Sequence, residues 1–201
     1  RGSVSGPAQV CSDLSHTGSR GILHADIKQS NILRAPDGSA KLADLGLAKR
    51  RVDSTHRLFG TYHYMSPEAI SGSPVDTRSD IYSLGATLFH FVTGVPPFSN
   101  LKREAILDAH LNEPIPDPLL LNPELSPDTA RLIQQMMRKS PMDRPRDPGE
   151  LAKRIEAMLS VPSLEEAPAP RRPSSSASRT SVAASIERKR SSSNTTLLLI
   201  F

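Results

Sequence analysis

"DIYSLGATLFHFVT", residues 80–93, decides the architecture of this chain. Its apolar residues fall on nearly every face of a 3.6-residue helix rather than on one stripe, and a helix of that kind is buried on all sides. Gly94, Pro96 and Pro97 follow at once and end it. The stretch predicts a central helix around which the other elements pack.

Working outward toward the C-terminus, "SPDTARLIQQMM" opens with Ser126 as N-cap and Pro127 at the first helical position, and it sets Ile133, Met136 and Met137 on one face. "DPGELAKRIEAML" repeats the device: Asp147 and Glu150 stand at capping-box spacing, and Leu151, Ile155, Met158 and Leu159 face inward. Toward the N-terminus, residues 7–20 predict a helix with Val10 and Leu14 one turn apart and Gly21 as its stop. "GIL" (21–23) and "NILR" (31–34) read as short strands, the second joined through "PDG" to "SAKLA" as a hairpin. The fold class is therefore α+β, mainly α-helical, with short β-hairpins.

Composition narrows the function. A chain of 201 residues holds one ordinary domain and a tail. Of its 25 Lys/Arg and 21 Asp/Glu, residues 161–201 carry 6 and 3, which leaves 19 against 18 in residues 1–160. The folded part is nearly neutral, so the net charge of +4 does not point to a nucleic-acid partner. The single cysteine, Cys11, excludes an internal disulfide framework and suits a reducing compartment. Residues 161–196 contain ten Ser, four Pro and no aromatic residue, a composition that cannot offset its own ordering entropy, and they read as a disordered basic linker. The chain shows no signal peptide and no complete membrane span, and both its start at Arg1 and its end in "LLLIF" read as cut ends.

"HADIKQSN", residues 24–31, carries the chemistry. Asp26, Asn31 and, further on, Asp44 in "DLG" place three oxygen donors on loops beside short strands, the ligand type that Mg²⁺ takes alongside a phosphate-bearing substrate. Lys28 adds a cation where phosphate charge would gather. Taken singly, each of these residue types in a loop is most often a turn former or a solvated charge, and it is their combination in this order that points to chemistry.

Together with "DLG" (44–46), "GTYHYMSPE" (60–68) and "DIYSLG" (80–85), the stretch closely resembles the catalytic half of a serine/threonine protein kinase, over residues 7–160, in the style of the eukaryotic-like kinases of bacteria. That resemblance implies ATP and Mg²⁺ as cofactors and Ser/Thr of proteins as acceptors. It makes Asp26 the residue that accepts or orients the substrate hydroxyl proton and Lys28 the one that steadies the γ-phosphate. It makes Asn31 and Asp44 the Mg²⁺ ligands, sets Leu33 beneath the adenine, and gives Leu45 the usual Phe position. Lys28 and Thr61 argue for Ser/Thr over Tyr acceptors. Glu68 and Arg144 match an ion pair, and Asp80 matches the residue that receives backbone N–H groups of the catalytic loop, the alternative being a plain helix N-cap. The "GTYHYMSPE" platform disfavours small-molecule phosphotransfer.

Two departures qualify the resemblance. Ala25 stands where the family usually has an Arg that pairs with an activation-segment phosphate, so phosphorylation at Ser54 or Thr55 lacks its usual partner, although Lys49, Arg50, Arg51 and Arg57 lie nearby in sequence. Only 23 residues precede His24, too few for an ATP-binding lobe. The chain therefore reads as the C-lobe of a truncated kinase, inactive alone, or else as a lobe-only pseudokinase that binds a protein partner. In the tail, Ser174 and Ser191 follow basic residues, as phosphorylation sites or as part of a plain solvated linker. "RKR" ahead of "LLLIF" (197–201) suggests a transmembrane segment in the parent with the kinase domain in the cytoplasm, or else an ordinary terminus.

Overall fold

The buried helix forms, and it starts three residues before its apolar pattern does. In a computed structural model that describes residues 6–36, 38–43 and 62–160, the elements in chain order are α1 (Gly6–Gly18), β1 (Ile32–Arg34), β2 (Ala40–Leu42), α2 (Pro67–Ile70), α3 (Thr77–Thr93), α4 (Arg103–Asn112), α5 (Pro118–Leu121), α6 (Pro127–Met136) and α7 (Pro148–Ser160). Single 3₁₀ turns cover Gln29–Asn31, Tyr62–Tyr64 and Pro141–Asp143. Asp76 is the N-cap of α3: its carboxylate accepts the Arg78 N–H at 2.8 Å, while the Ser79 hydroxyl accepts the Asp76 N–H at 3.3 Å. The helix ends on Gly94, whose φ of 77° is the left-handed cap that glycine adopts without strain.

Ile81, Leu84, Ala86, Leu88 and Phe89 of α3 are all buried, so the helix forms the spine of a single main core. α6 packs against it through Ile133, Met136 and Met137. α1 lies between α7 and β2 and contributes Val10, Cys11 and Leu14 to the same core. Burial pushes the Cys11 thiol up, which makes it inert at neutral pH. Ser126 caps α6 as expected, its hydroxyl accepting the Thr129 N–H at 3.1 Å. At α7 the Asp147 carboxylate accepts the Glu150 N–H at 2.8 Å, but the Glu150 carboxylate reaches one residue further back than a capping box requires, to the Arg146 N–H at 2.9 Å.

The hairpin is antiparallel, with Ile32 opposite Leu42, Leu33 opposite Lys41 and Arg34 opposite Ala40. It is the one sheet among the described residues, and "GIL" is not a strand. Gly21 instead turns the chain at φ 70°, its N–H on the Gly18 carbonyl at 2.9 Å, and Ile22 and Leu23 lead as loop into residues 24–31. An apolar triplet with no facing edge cannot enter a ladder.

α4 builds a smaller cluster of Phe98, Ile106 and Ala109. Lys139 closes its end, with Nζ donating to the carbonyls of Ala109 and His110, both at 2.8 Å. Burial lowers that ammonium to about 8. His110 is wholly buried between the rings of Tyr82 and Phe98, with Nδ1 2.8 Å from the Tyr82 hydroxyl, and burial lowers it to about 3. No helix among the described residues is long and apolar enough to cross a membrane. Residues 161–196 and 197–201, with Ser174 and Ser191, lie outside the described residues.

The approach of α3 to α6 depends on Gly85, where a Cβ would stand 2.9 Å from both Met136 Cβ and Met137 Cγ. We predict that Gly85→Ala lowers the urea midpoint. Overpacking of this kind costs about 1–3 kcal/mol, against a helix-propensity gain of about 0.8–1.0 kcal/mol. An unchanged or raised midpoint would show that the two helices have slack.

Candidate active site

The loop between α1 and β1 is shaped by a carboxylate that lies far from it in sequence. Asp80, in the first turn of α3 and buried, accepts the His24 N–H on Oδ2 and the Ala25 N–H on Oδ1, both at 2.9 Å. Because Asp76 is the cap, the plain N-cap reading of Asp80 falls away. Ala25 has φ 62°, the left-handed region, which costs an L-residue about 1–2 kcal/mol. A hydrogen bond to a charged group contributes about 1.5–3 kcal/mol, so two of them hold the bend. Burial holds the Asp80 carboxyl above its ordinary value, and the two amides offset only part of that rise.

The bend turns the next residues inward. The His24 ring is wholly buried, with Nε2 3.1 Å from the Ala43 carbonyl and Nδ1 3.4 Å from the Asp26 N–H. A carbonyl only accepts and an amide N–H only donates, so both contacts require the Nε2–H tautomer. Asp26 is buried, and its Oδ2 receives Lys28 Nζ at 2.7 Å and Asn31 Nδ2 at 3.1 Å. Asn31 Nδ2 also donates to the Asp26 carbonyl at 2.8 Å, which fixes the plane of the amide. The Asn31 carbonyl accepts the Ala43 N–H at 2.7 Å and so ties the loop to the end of β2.

The structure thus brings Asp26, Lys28 and Asn31 together. Leu33 sits on β1 with about half of its surface exposed (54%), an apolar side chain at an open face. Asp44, Leu45, Thr61, Ser54, Thr55, Lys49, Arg50, Arg51 and Arg57 lie outside the described residues. No group of three or more His, Cys, Asp or Glu residues able to hold a metal occurs among the described ones.

A second constellation closes the other side. Arg144, its side chain wholly buried, makes a two-pronged ion pair with Glu68 at 2.7 and 2.8 Å. Its remaining donors go to the carbonyls of Arg138 (2.8 Å), Arg78 (2.9 Å) and Lys139 (2.9 Å), so the guanidinium is fully matched. It also lies 4.9 Å from the centre of the Tyr82 ring. Burial would raise the Glu68 carboxyl, but the hydrogen bonds from Arg144 and Ser79 outweigh it and hold Glu68 below its ordinary value. The sequence did not disclose two supports: Ser79, whose hydroxyl donates to Glu68 at 2.6 Å, and Asp13, whose carboxylate accepts the Leu42 N–H at 3.4 Å. Each acts between elements distant in the chain, and nothing local marks it.

This arrangement matches the protein kinase domain over residues 6–157. The chain belongs to the protein kinase family. It is 36% identical over 144 residues to the DNA damage-responsive serine/threonine-protein kinase RqkA of Deinococcus radiodurans, covering 69% of this chain and 22% of that one. It is 36% identical over 149 residues to the serine/threonine-protein kinase PknD of Mycobacterium tuberculosis, covering 72% and 22%. To the probable serine/threonine-protein kinase PknB of Lactococcus lactis it is 34% identical over 153 residues, covering 74% and 24%. These relatives place it with the bacterial-type serine/threonine kinases, and the chain spans only 22–24% of their length.

In this kinase domain the Glu68–Arg144 pair is the strongest test of the lower site. We predict that Glu68→Ala, which strands a buried guanidinium, costs about 3–5 kcal/mol in urea unfolding at pH 7. Because the folded-state value of Glu68 is lowered, its stabilisation is fully present above the ordinary glutamate value of about 4.3 and is lost as pH falls below that and through the lowered folded-state value. The gap between wild type and variant should therefore narrow in acid. A gap below about 1 kcal/mol at pH 7 would reduce the pair to the worth of a surface contact.

Proposed function

We propose that the loop from His24 to Asn31 serves transfer of the ATP γ-phosphate to Ser or Thr of protein substrates, in a longer kinase whose helical lobe this chain carries. One observation carries the reading: Asp26 Oδ2 is held between Lys28 Nζ at 2.7 Å and Asn31 Nδ2 at 3.1 Å, in a loop pinned from below by Asp80. An isolated turn former would not need a buried carboxylate with a cation and an amide on one oxygen.

The residues fit ATP with Mg²⁺. Both hydrogen bonds that fix Asn31 leave from Nδ2, and the contact seen at Oδ1 is a long one from the Ser30 hydroxyl at 3.4 Å, so Oδ1 is an oriented oxygen donor of the kind a hard cation takes. Asn31 and Asp44 would hold the ion, and Leu33 would lie beneath the adenine. When bound, Mg²⁺ neutralises charge on the phosphates. Asp26 accepts or orients the proton of the acceptor hydroxyl, and Lys28 steadies the transferring group. Placement and charge compensation do most of this work.

The test is transfer from ATP to a Ser/Thr-containing protein by a polypeptide that carries this chain in its natural reading frame. Asp26→Asn keeps the shape and removes the base, and kcat should fall by about 10²–10⁴. Wild-type activity in that variant would end the assignment. A second outcome follows from Ala25, whose methyl group offers no cation to an activation-segment phosphate. Thr55→Glu should leave kcat within about threefold of wild type, and a larger rise would mean that another basic residue does that work.

A further inference from the structure

Beneath the catalytic loop, on the side of Ala25 and Asp80, lies a cavity of about 130 Å³ bounded by α2, α3 and the loop itself. Leu23, Ile27, Met65 and Val75 give it apolar walls. Asp26 and Asp80 give it two carboxylates, and among the described residues no Lys, Arg or His lines it. The two carboxylates are not equivalent. Asp26 is paired with Lys28, whereas Asp80 is met by two backbone amides and has no ion pair among the described residues. Ser66 supplies an independent sign: it is 1% exposed, it lines the cavity, and its Oγ has no hydrogen-bond partner among the described residues. Native structures seldom bury an unmatched hydroxyl, and such a group marks the place of a missing partner.

We propose that this cavity is a binding site for a small organic cation, an amidinium or alkylguanidinium head on a short apolar body. Two carboxylates in the lining disfavour anions, and a neutral ligand would give Asp80 no partner beyond the two amides it already has. A planar fork of N–H donors suits a lining that offers both carboxylate and hydroxyl oxygens, and it sheds water more readily than an ammonium does. The volume is comparable with cavities of roughly 150 Å³ that take up benzene. Since Ala25 and Asp26 form part of the wall, an occupant would brace the loop from below. The site stands on the cavity alone and does not depend on the phosphoryl-transfer reading.

The experiment is an amide NMR titration of the 201-residue chain with benzamidine, with its neutral analogue benzamide, and with N-acetyl-arginine amide. Benzamidine should give saturable shifts at Leu23, Ala25, Met65 and Ser83, and benzamide should bind at least about tenfold more weakly, a difference of about 1.4 kcal/mol. Binding of N-acetyl-arginine amide alongside benzamidine, or in its place, would assign the natural source to a peptide side chain; benzamidine alone would assign it to a free small molecule. Ser83→Leu fills the cavity from α3 and Ala69→Leu fills it from α2; whichever variant keeps a folded spectrum should lose binding. Ser66→Ala should weaken binding without lowering the melting temperature, since that hydroxyl has no bond to lose among the described residues. Shifts that never saturate for either cation, equal binding of benzamide and benzamidine, or undiminished binding in the filled variants would each overturn the proposal.

Discussion

The loop from His24 to Asn31 has the shape it has because one buried carboxylate takes two consecutive backbone amides. Asp80 is not on the loop, yet it holds His24 and Ala25 in a bend that an alanine would not choose, and every later contact inherits that bend. Asp26 can face Lys28 and Asn31 only because the chain has already turned at Ala25. The turn is fixed by main-chain atoms, so the side chain at position 25 is free to vary without moving Asp26. That is how the loop can lack the usual arginine and still present its carboxylate in order.

The same helix supports a second anchor. Arg144 binds Glu68 at the start of α2 and the Arg78 carbonyl in the first turn of α3, and it lies against Tyr82 one turn further on. Its five donors all end on acceptors, which is the condition under which burying a charge does not undo the fold. One end of α3 therefore fixes both the loop that carries Asp26 and the segment just before it, and the two are placed relative to each other by a few residues of rigid helix.

What the sequence revealed follows how local each interaction is. The caps at Ser126 and Asp147 were readable because donor and acceptor lie within four residues, and the central helix was readable because its residues are apolar all round. Its true start was not, because Thr77, Arg78 and Ser79 are polar and the capping Asp76 carries no apolar period. α4 escaped for the same reason: Ile106 and Ala109 are its buried apolar residues, too few to show a stripe, and its N-cap Lys102 makes no side-chain bond. "GIL" misled because a short apolar run looks alike in a strand and in a half-buried loop. The site residues Asp26, Lys28 and Asn31 were legible as a motif, but the pairing of Glu68 with Arg144, 76 residues apart, came only from the family resemblance. The reach of Asp80 back to His24 came from the same source.

The two ends of the loop from His24 to Asn31 rest on supports of unequal strength. At the Asp26 end the foundation is α3, seventeen residues long and buried. At the Asn31 end it is a hairpin of three residues a side, an element that is marginal in water without neighbours. That hairpin keeps its place through the buried Ala40, the partly buried Ile32 and Leu42 packed against the main core, and a 3.4 Å bond from the Leu42 N–H to Asp13 on α1. Native proteins open in units of different stability, and here the boundary between a stiff unit and a soft one falls inside eight residues. Asp26 is set in the stiff part and Asn31 at the edge of the soft part. Hydrogen exchange would read this as amides of β1 and β2 that open well before those of α3, a gradient in stiffness that lets the Asn31 end adjust while Asp26 stays fixed.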